Sequence, residues 1–366
     1  MSAATQTSAP QSARAAAGAA RRGAFTARWI IGARDDLVWF IGSVVTSYAL
    51  YALYVWGRVP LVPMVAAWAI LIDAPHVFAT FSRTYFDREE RRTRGRLLWL
   101  SLLFFAAGPA AVLLGAGFAF FFAAALWAYY HLVKQHYGFM VLYKKKNDDL
   151  APADNALDRA FLLAAFSYPF AWFVAHDAEA MTRVPAFLHG AVSALERALL
   201  VACVATAAAW AGRQAQRALS GRPLDLPKYL LLLAAVPMHW VVLLTPMEHK
   251  PVAIVAMLTV YHNLQYHRLV WFHNRKYTRD EGCRERHGAA EFISRRLTHY
   301  VAVGLLFGLW YQIPRQYVNH AADPEAFLTQ LASGFLWGYA LLHYYLDSKI
   351  WRVRRDPSVG QALRMS

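Results

Sequence analysis

Apolar residues in this chain come in long blocks separated by short charged, proline- or glycine-bearing connections. A helix rises ~1.5 Å per residue, so about 20 such residues cross the hydrocarbon layer of a bilayer. On that pattern the sequence predicts spans at roughly 37–57, 60–82, 96–115, 118–142, 158–176, 187–211, 228–246, 251–274, 297–318 and 327–350. The expected fold class is all-α: a polytopic transmembrane helical bundle of about ten spans, built as one domain over residues 35–352.

Composition agrees with that pattern and charge gives it a direction. Of 366 residues, 58% are hydrophobic and only 17% charged, unlike an ordinary soluble domain. The net charge of +15 sits mostly in alternate connections. The 83–96 loop carries Arg83, Arg88, Arg91, Arg92, Arg94 and Arg96, and the 275–296 loop is equally basic. The loops 143–157 and 212–227 and both chain ends are basic as well, whereas the opposite connections hold little beyond Arg58, Arg183, Lys250 and Arg315. The positive-inside rule then places both termini in the cytoplasm and makes this a multi-pass protein of a bacterial-type inner membrane. Loop flanks account for the positive charge, so no nucleic-acid partner is implied.

Residues 1–34, rich in Ala, Ser and Arg, read as a disordered basic arm, and 353–366 as a basic tail. Cys203 falls in the sixth span and Cys283 in a cytoplasmic loop, which argues against a structural disulfide.

The even-numbered spans run from outside to inside, and four of them carry histidine motifs at the same depth, shortly before a basic edge. These are Asp73 with His76, His131 with His136, His262 with His267, and His343 with Asp347. The sixth span breaks the rule, having only Glu196 and Arg197 near its middle. Ionisable groups in a bilayer are expensive, and four motifs at one level point to one shared site. The other histidines serve as a control. His176, His189, His239, His249 and His320 fall near the outer face; His287 and His299 lie in or beside a loop, and His273 at a helix end. For these an interfacial or loop role is the plain reading.

Spacing refines the motifs. His343 and Asp347 are four apart, about 40° around a helix, and Asp73 and His76 are three apart, so each pair shares a face. The pairs His131/His136 and His262/His267 are five apart, about 140° of rotation. Either a π-bulge narrows that angle or only one of each pair is a ligand, with His131 and His262 the deeper members and His136 and His267 nearer water. The candidate metal ligands are therefore His76, His131, His136, His262, His267, His343, Asp73 and Asp347. Such an imidazole-rich, thiolate-free set suits iron first, with copper or zinc as the other metals. Tyr130, Gln265 and Tyr266 are candidates to orient ligands or substrate, although each also fits an aromatic belt or an interhelical hydrogen bond.

At these residues the chain resembles the integral-membrane β-carotene dioxygenases of the Brp/Blh type. Pro75-His76, His136-Tyr137-Gly138, the paired His262 and His267, and His343 followed by Asp347 stand in that family's order. Val77 replaces a glycine of the pattern, the paired histidines are five rather than four apart, and there are more spans. The resemblance implies a helical membrane enzyme that splits a carotenoid with histidine-bound iron. The ligands it implies are His76, His136, one or both of His262 and His267, and His343.

The expected function is thus a metal-dependent oxygenase or related oxidoreductase, using O2 on a lipophilic substrate taken from the bilayer. Two rivals come from other classes. A proton-coupled transporter would use Asp73, Glu196, Arg197 and Asp347 as its path, and a haem-binding electron carrier would use two facing histidines.

Overall fold

The computed structural model describes residues 24–365 apart from 280, 321 and 325. Ten long helical segments make up the body: α1 (Ala33–Val55), α2 (Leu61–Ser82), α3 (Arg88–Leu113), α4 (Gly117–Lys146), α5 (Pro152–His176), α6 (Ala186–Leu219), α7 (Leu226–Leu244), α8 (Lys250–Asn274), α9 (Leu297–His320) and α10 (Phe327–Ile350). Among the described residues α1, α2, α3, α6 and α7 are both long and apolar enough to cross a membrane. The only sheet described is a two-residue parallel pairing of β1 (Phe25–Thr26) with β2 (Leu224–Asp225).

Helix α8 is the hub. Most of its residues are buried, and it packs on α1, α2, α4 and α7. Around it, α2 packs on α9, and α10 packs on α3 and α4, while α5 sits between α6 and α7. Helix α6 is peripheral, with only 6% of its apolar window buried inside the protein. That exposure fits the sixth span's lack of an inner histidine: Arg197 is exposed on a helix whose apolar length is mostly uncovered by the rest of the protein.

Glycine pairs four residues apart set two close helix crossings. Gly334 and Gly338 of α10 face α3, where a Cβ on Gly334 would lie 2.7 Å from the Gly108 carbonyl carbon, and one on Gly338 2.8 Å from Phe105 Cα. Gly304 and Gly308 of α9 face Ile70 and Pro75 of α2 in the same way. Small residues at such spacing let membrane helices approach backbone to backbone, where packing rather than the hydrophobic effect drives association.

Two helices depart from α geometry where it matters. A π turn over Asp36–Gly42 opens α1, and another over Ala69–Asp73 opens α2 just ahead of Pro75. Proline has no amide to donate and its ring crowds the carbonyl four residues earlier, so the helix widens there. Widening redirects backbone carbonyls, and buried carbonyls need donors. Side chains of α8 supply them: Tyr261 Oη and Gln265 Nε2 donate to Phe40 O at 2.6 and 2.8 Å, and His267 Nε2 to Ile72 O at 3.3 Å.

The basic segments gather at one end of the bundle. Lys228 bonds Asp149 and Asp158 at 2.9 and 3.2 Å, Arg217 bonds Asp149 at 2.6 Å, and Lys144 bonds Asp158, joining the ends of α4 to α7. Arg28 meets Asp148, Lys146 meets Arg364 O, His287 meets Asp87, and Arg94 meets Asp356, so the first and last described segments pack against these basic loops.

Both expected tails are partly structured. Residues 1–23 of the arm lie outside the described residues, but Phe25–Thr26 pairs with β2, tied down by that short ladder. Residues Pro357–Ala362 form a helix capped by Asp356, with Val359 and Leu363 buried in the main core. The apolar spacing of those two residues, hidden among arginines, is why the segment packs rather than dangles.

Asp225 caps α7 through the Lys228 amide at 3.2 Å, and its other oxygen is buried without a partner. Burial pushes this carboxyl from 3.8 up to about 6, with the Lys228 amide and ammonium opposing the shift. A carboxyl whose pKa rises on folding is penalised when ionised, so it withdraws stability as pH climbs from 3.8 through about 6. Asp225→Asn keeps the cap and should abolish that decline in a thermal-unfolding series across this pH window; a slope equal to the native protein's would refute the assignment. In the same assay Gly334→Ala should lose ~1–3 kcal/mol through overpacking. Gly190→Ala, whose added Cβ meets nothing within 4 Å, should match the native protein.

Candidate metal centre

Four helices each deliver one imidazole to a common point. His76 of α2, His131 of α4, His262 of α8 and His343 of α10 are buried, and their ligand atoms all lie within 4.8 Å of one another. His76 Nε2 and His262 Nε2 are 3.2 Å apart. Two nitrogens bound at ~2.1 Å to one metal at tetrahedral or octahedral angles stand about 3.0–3.4 Å apart, so this separation is compatible with two ligands on one ion. The ring centroids of His76 and His343 are 4.5 Å apart, and those of His131 and His343 4.9 Å.

Each ring is held by its own helix geometry and by neighbours. His76 follows the π turn of α2 at a one-residue interval from Pro75, and Gly308 allows α9 to press that turn inward. Gln135 of α4 donates to His262 O at 2.8 Å and fixes α4 against α8 at this level. The Tyr344 ring stacks on His131 at 4.4 Å.

His343 is oriented by a hydroxyl–carboxylate set. Thr80 Oγ1 donates to Asp347 Oδ1 at 2.9 Å, and Tyr266 Oη donates to the same oxygen at 2.5 Å. With those protons given to the carboxylate, His343 Nδ1–H donates to Thr80 Oγ1 at 2.7 Å. His343 Nε2 is then left bare, buried and without a partner, and His131 Nε2 is likewise buried without one, while the Nε2 atoms of His76 and His262 face each other and their Nδ1 atoms are buried without partners. Fixing one imidazole nitrogen by hydrogen bonding so that the other presents a lone pair is how metal-binding histidines are prepared. Asp347 Oδ2 lies 3.8 Å from His343 Nε2 and 4.0 Å from His131 Nε2, and puts a carboxyl group beside the four imidazoles. The set can hold a metal ion.

The remaining candidates divide into neighbours and bystanders. Tyr266 belongs to the hydroxyl–carboxylate set. Asp73 accepts from Asn263 Nδ2 at 3.2 Å and stays outside the four-histidine group. Gln265 is not free to act on a bound molecule, because its amide donates to Phe40 O in the α1 π turn. His267 is engaged at both nitrogens, donating to Ile72 O and accepting from Tyr300 Oη at 3.1 Å. Tyr130 is 54% exposed on the outside of α4. His136 points away from the group, and its burial is complete, contrary to the expectation that it lies nearer water.

Three of the control histidines also differ from expectation: His239, His273 and His287 are buried. His273 pairs with Asn274, and His287 with Asp87, both beneath the folded-back basic loops that the span pattern could not reveal.

No protein-family model, curated protein or solved structure matches this chain. The site's chemistry is therefore read from its own atoms. Sequence reasoning missed Thr80, although its position four residues after His76 puts it on the same face of α2.

Thr80→Val removes the acceptor that fixes His343 Nδ1 while keeping the side chain's shape. Metal affinity, measured by competition with a chelator, should fall 10–100-fold; unchanged affinity would show that Thr80 does not orient the ring.

Proposed function

We propose that this protein is an integral-membrane, metal-dependent oxygenase or related oxidoreductase that acts on a lipophilic substrate drawn from the bilayer. The observation that carries this reading is the convergence of four buried imidazoles from four helices, with a carboxylate beside them. His76, His131, His262 and His343 would hold the metal, and iron is favoured because neutral nitrogen donors with a nearby carboxylate suit it. Iron bound there would supply the binding and activation of O2. The protein's share is to hold the ring nitrogens bare, exclude water, and keep protons on Thr80 and Tyr266 beside Asp347.

In this reading all ten long helices cross the bilayer. Helices α4, α5, α8, α9 and α10 run 24 to 30 residues, long enough to span, and their histidines and charges are what lower their hydropathy. The gathering of basic segments at one end supports cytoplasmic termini and a bacterial-type inner membrane, with the site in the cytoplasmic half. The resemblance to Brp/Blh-type β-carotene dioxygenases makes a carotenoid the first substrate class to try. The resemblance and the geometry differ at one ligand, since His131 rather than His136 faces the other three.

The rival readings find less support. A transporter path through Glu196 and Arg197 would have to leave the interior, because α6 is peripheral. A haem needs room for its ring between two axial nitrogens, whereas four imidazoles here crowd within 4.8 Å.

Metal analysis of the detergent-purified protein tests the reading directly. His76→Ala and His343→Ala should each lose the metal and O2-dependent turnover of a carotenoid, and His267→Ala should keep the metal. Full metal retention in both of the first two variants would refute the site.

A further inference from the structure

Outside the four-histidine group, His136 of α4 and His239 of α7 form a second imidazole pair. Both are 0% exposed, with ring centroids 5.5 Å apart and planes at 88°. In each ring Nδ1 meets the carbonyl four residues earlier in its own helix: Leu132 O at 3.1 Å for His136 and Ala235 O at 2.9 Å for His239. A carbonyl only accepts, so both Nδ1 atoms carry the proton and both Nε2 atoms are bare acceptors. Both Nε2 atoms are buried without a partner. Two acceptors cannot satisfy each other, and the hydroxyls beside them are committed elsewhere. Tyr129 Oη is committed to Phe166 O and Tyr261 Oη to Phe40 O, while the Phe166 ring lies against both imidazoles.

From this we infer a second metal site, at which His136 Nε2 and His239 Nε2 bind Cu(I) between α4 and α7. It is independent of the oxygenase reading. With metal–nitrogen bonds of ~2.0 Å, the centroids of two imidazoles on one ion lie at most about 6.3 Å apart, and the observed 5.5 Å is within that reach. Zinc wants four donors, whereas Cu(I) is satisfied by two. Desolvation cost scales with the square of the charge, so a monovalent ion between neutral ligands in an aromatic box costs about a quarter of what a divalent one does. A water donating to both rings would make two hydrogen bonds, the low end of the range for buried water.

The test uses the full chain, purified in detergent, stripped of metal and titrated anaerobically with Cu(I) against a colorimetric Cu(I) chelator. The triple variant His76→Ala/His131→Ala/His343→Ala, which leaves only His262 at the four-histidine group, should still bind one tight Cu(I) per chain, and X-ray absorption should show a two-coordinate ion with nitrogen neighbours only. Adding His239→Gln or, separately, His136→Gln to that background should abolish this binding. Because the glutamine variants could disturb the core, the absorption measurement on the triple variant alone also decides the matter. If the triple variant binds no Cu(I), or binds it with three or more donors, or keeps it when either glutamine is added, the pair holds only water and the inference is overturned.

Discussion

A polar group placed in hydrocarbon must be satisfied inside the protein, and most of this structure follows from how α8 meets that demand. Two π turns, in α1 and α2, leave backbone carbonyls facing the interior. Tyr261, Gln265 and His267 of α8 answer them, and in doing so lock the rotation of α8 about its own axis. Once that rotation is fixed, His262 points into the space between α2, α4 and α10, where the other three imidazoles wait. The bond that secures a carbonyl and the direction of a ligand are consequences of one constraint.

The second requirement is closeness. Four rings within a few ångströms demand that four helix backbones come near one level, and bulky side chains at the crossings would hold them apart. The glycines of α9 and α10 remove that obstacle on the two sides that carry His76 and His343. Stability at those crossings and geometry at the site are therefore linked: a methyl group at Gly334, far from any imidazole, acts on His343 through the helix that bears it.

The long apolar blocks and their basic flanks made the helices legible, because length and charge are local properties of a sequence. The common depth of the histidines was legible too, since helical rise converts residue counts into height. Azimuth was harder. Four-residue spacing put Asp347 and His343 on one face, and the 140° between five-apart histidines left open whether one or both of each pair would face the site. The choice of partner for each member depended on helix neighbours, which no spacing encodes. His239 is the clearest instance: read alone, near a predicted span end, it looks interfacial, yet α5 and α4 cover it completely. Gln265 is another, since only the α1 π turn reveals the carbonyl that claims its amide. The packing of the C-terminal segment was not legible, because the apolar residues that bury it stand among arginines.

The five-apart pairs can be understood as one helix serving two neighbours. On α4, His131 faces the four-histidine group while His136 turns toward α7; on α8, His262 faces the group while His267 turns toward α2 and α9. In the His267 case both nitrogens find partners, so the second histidine completes the scaffold. In the His136 case one nitrogen finds a carbonyl and the other finds nothing. The two pairs share a spacing and differ in what is left over. A scaffold histidine has both nitrogens partnered, whereas a histidine with one nitrogen buried and unpartnered has a donor left to give. By that criterion His267 belongs to the framework, and His136 and His239 each keep an Nε2 that the scaffold does not use.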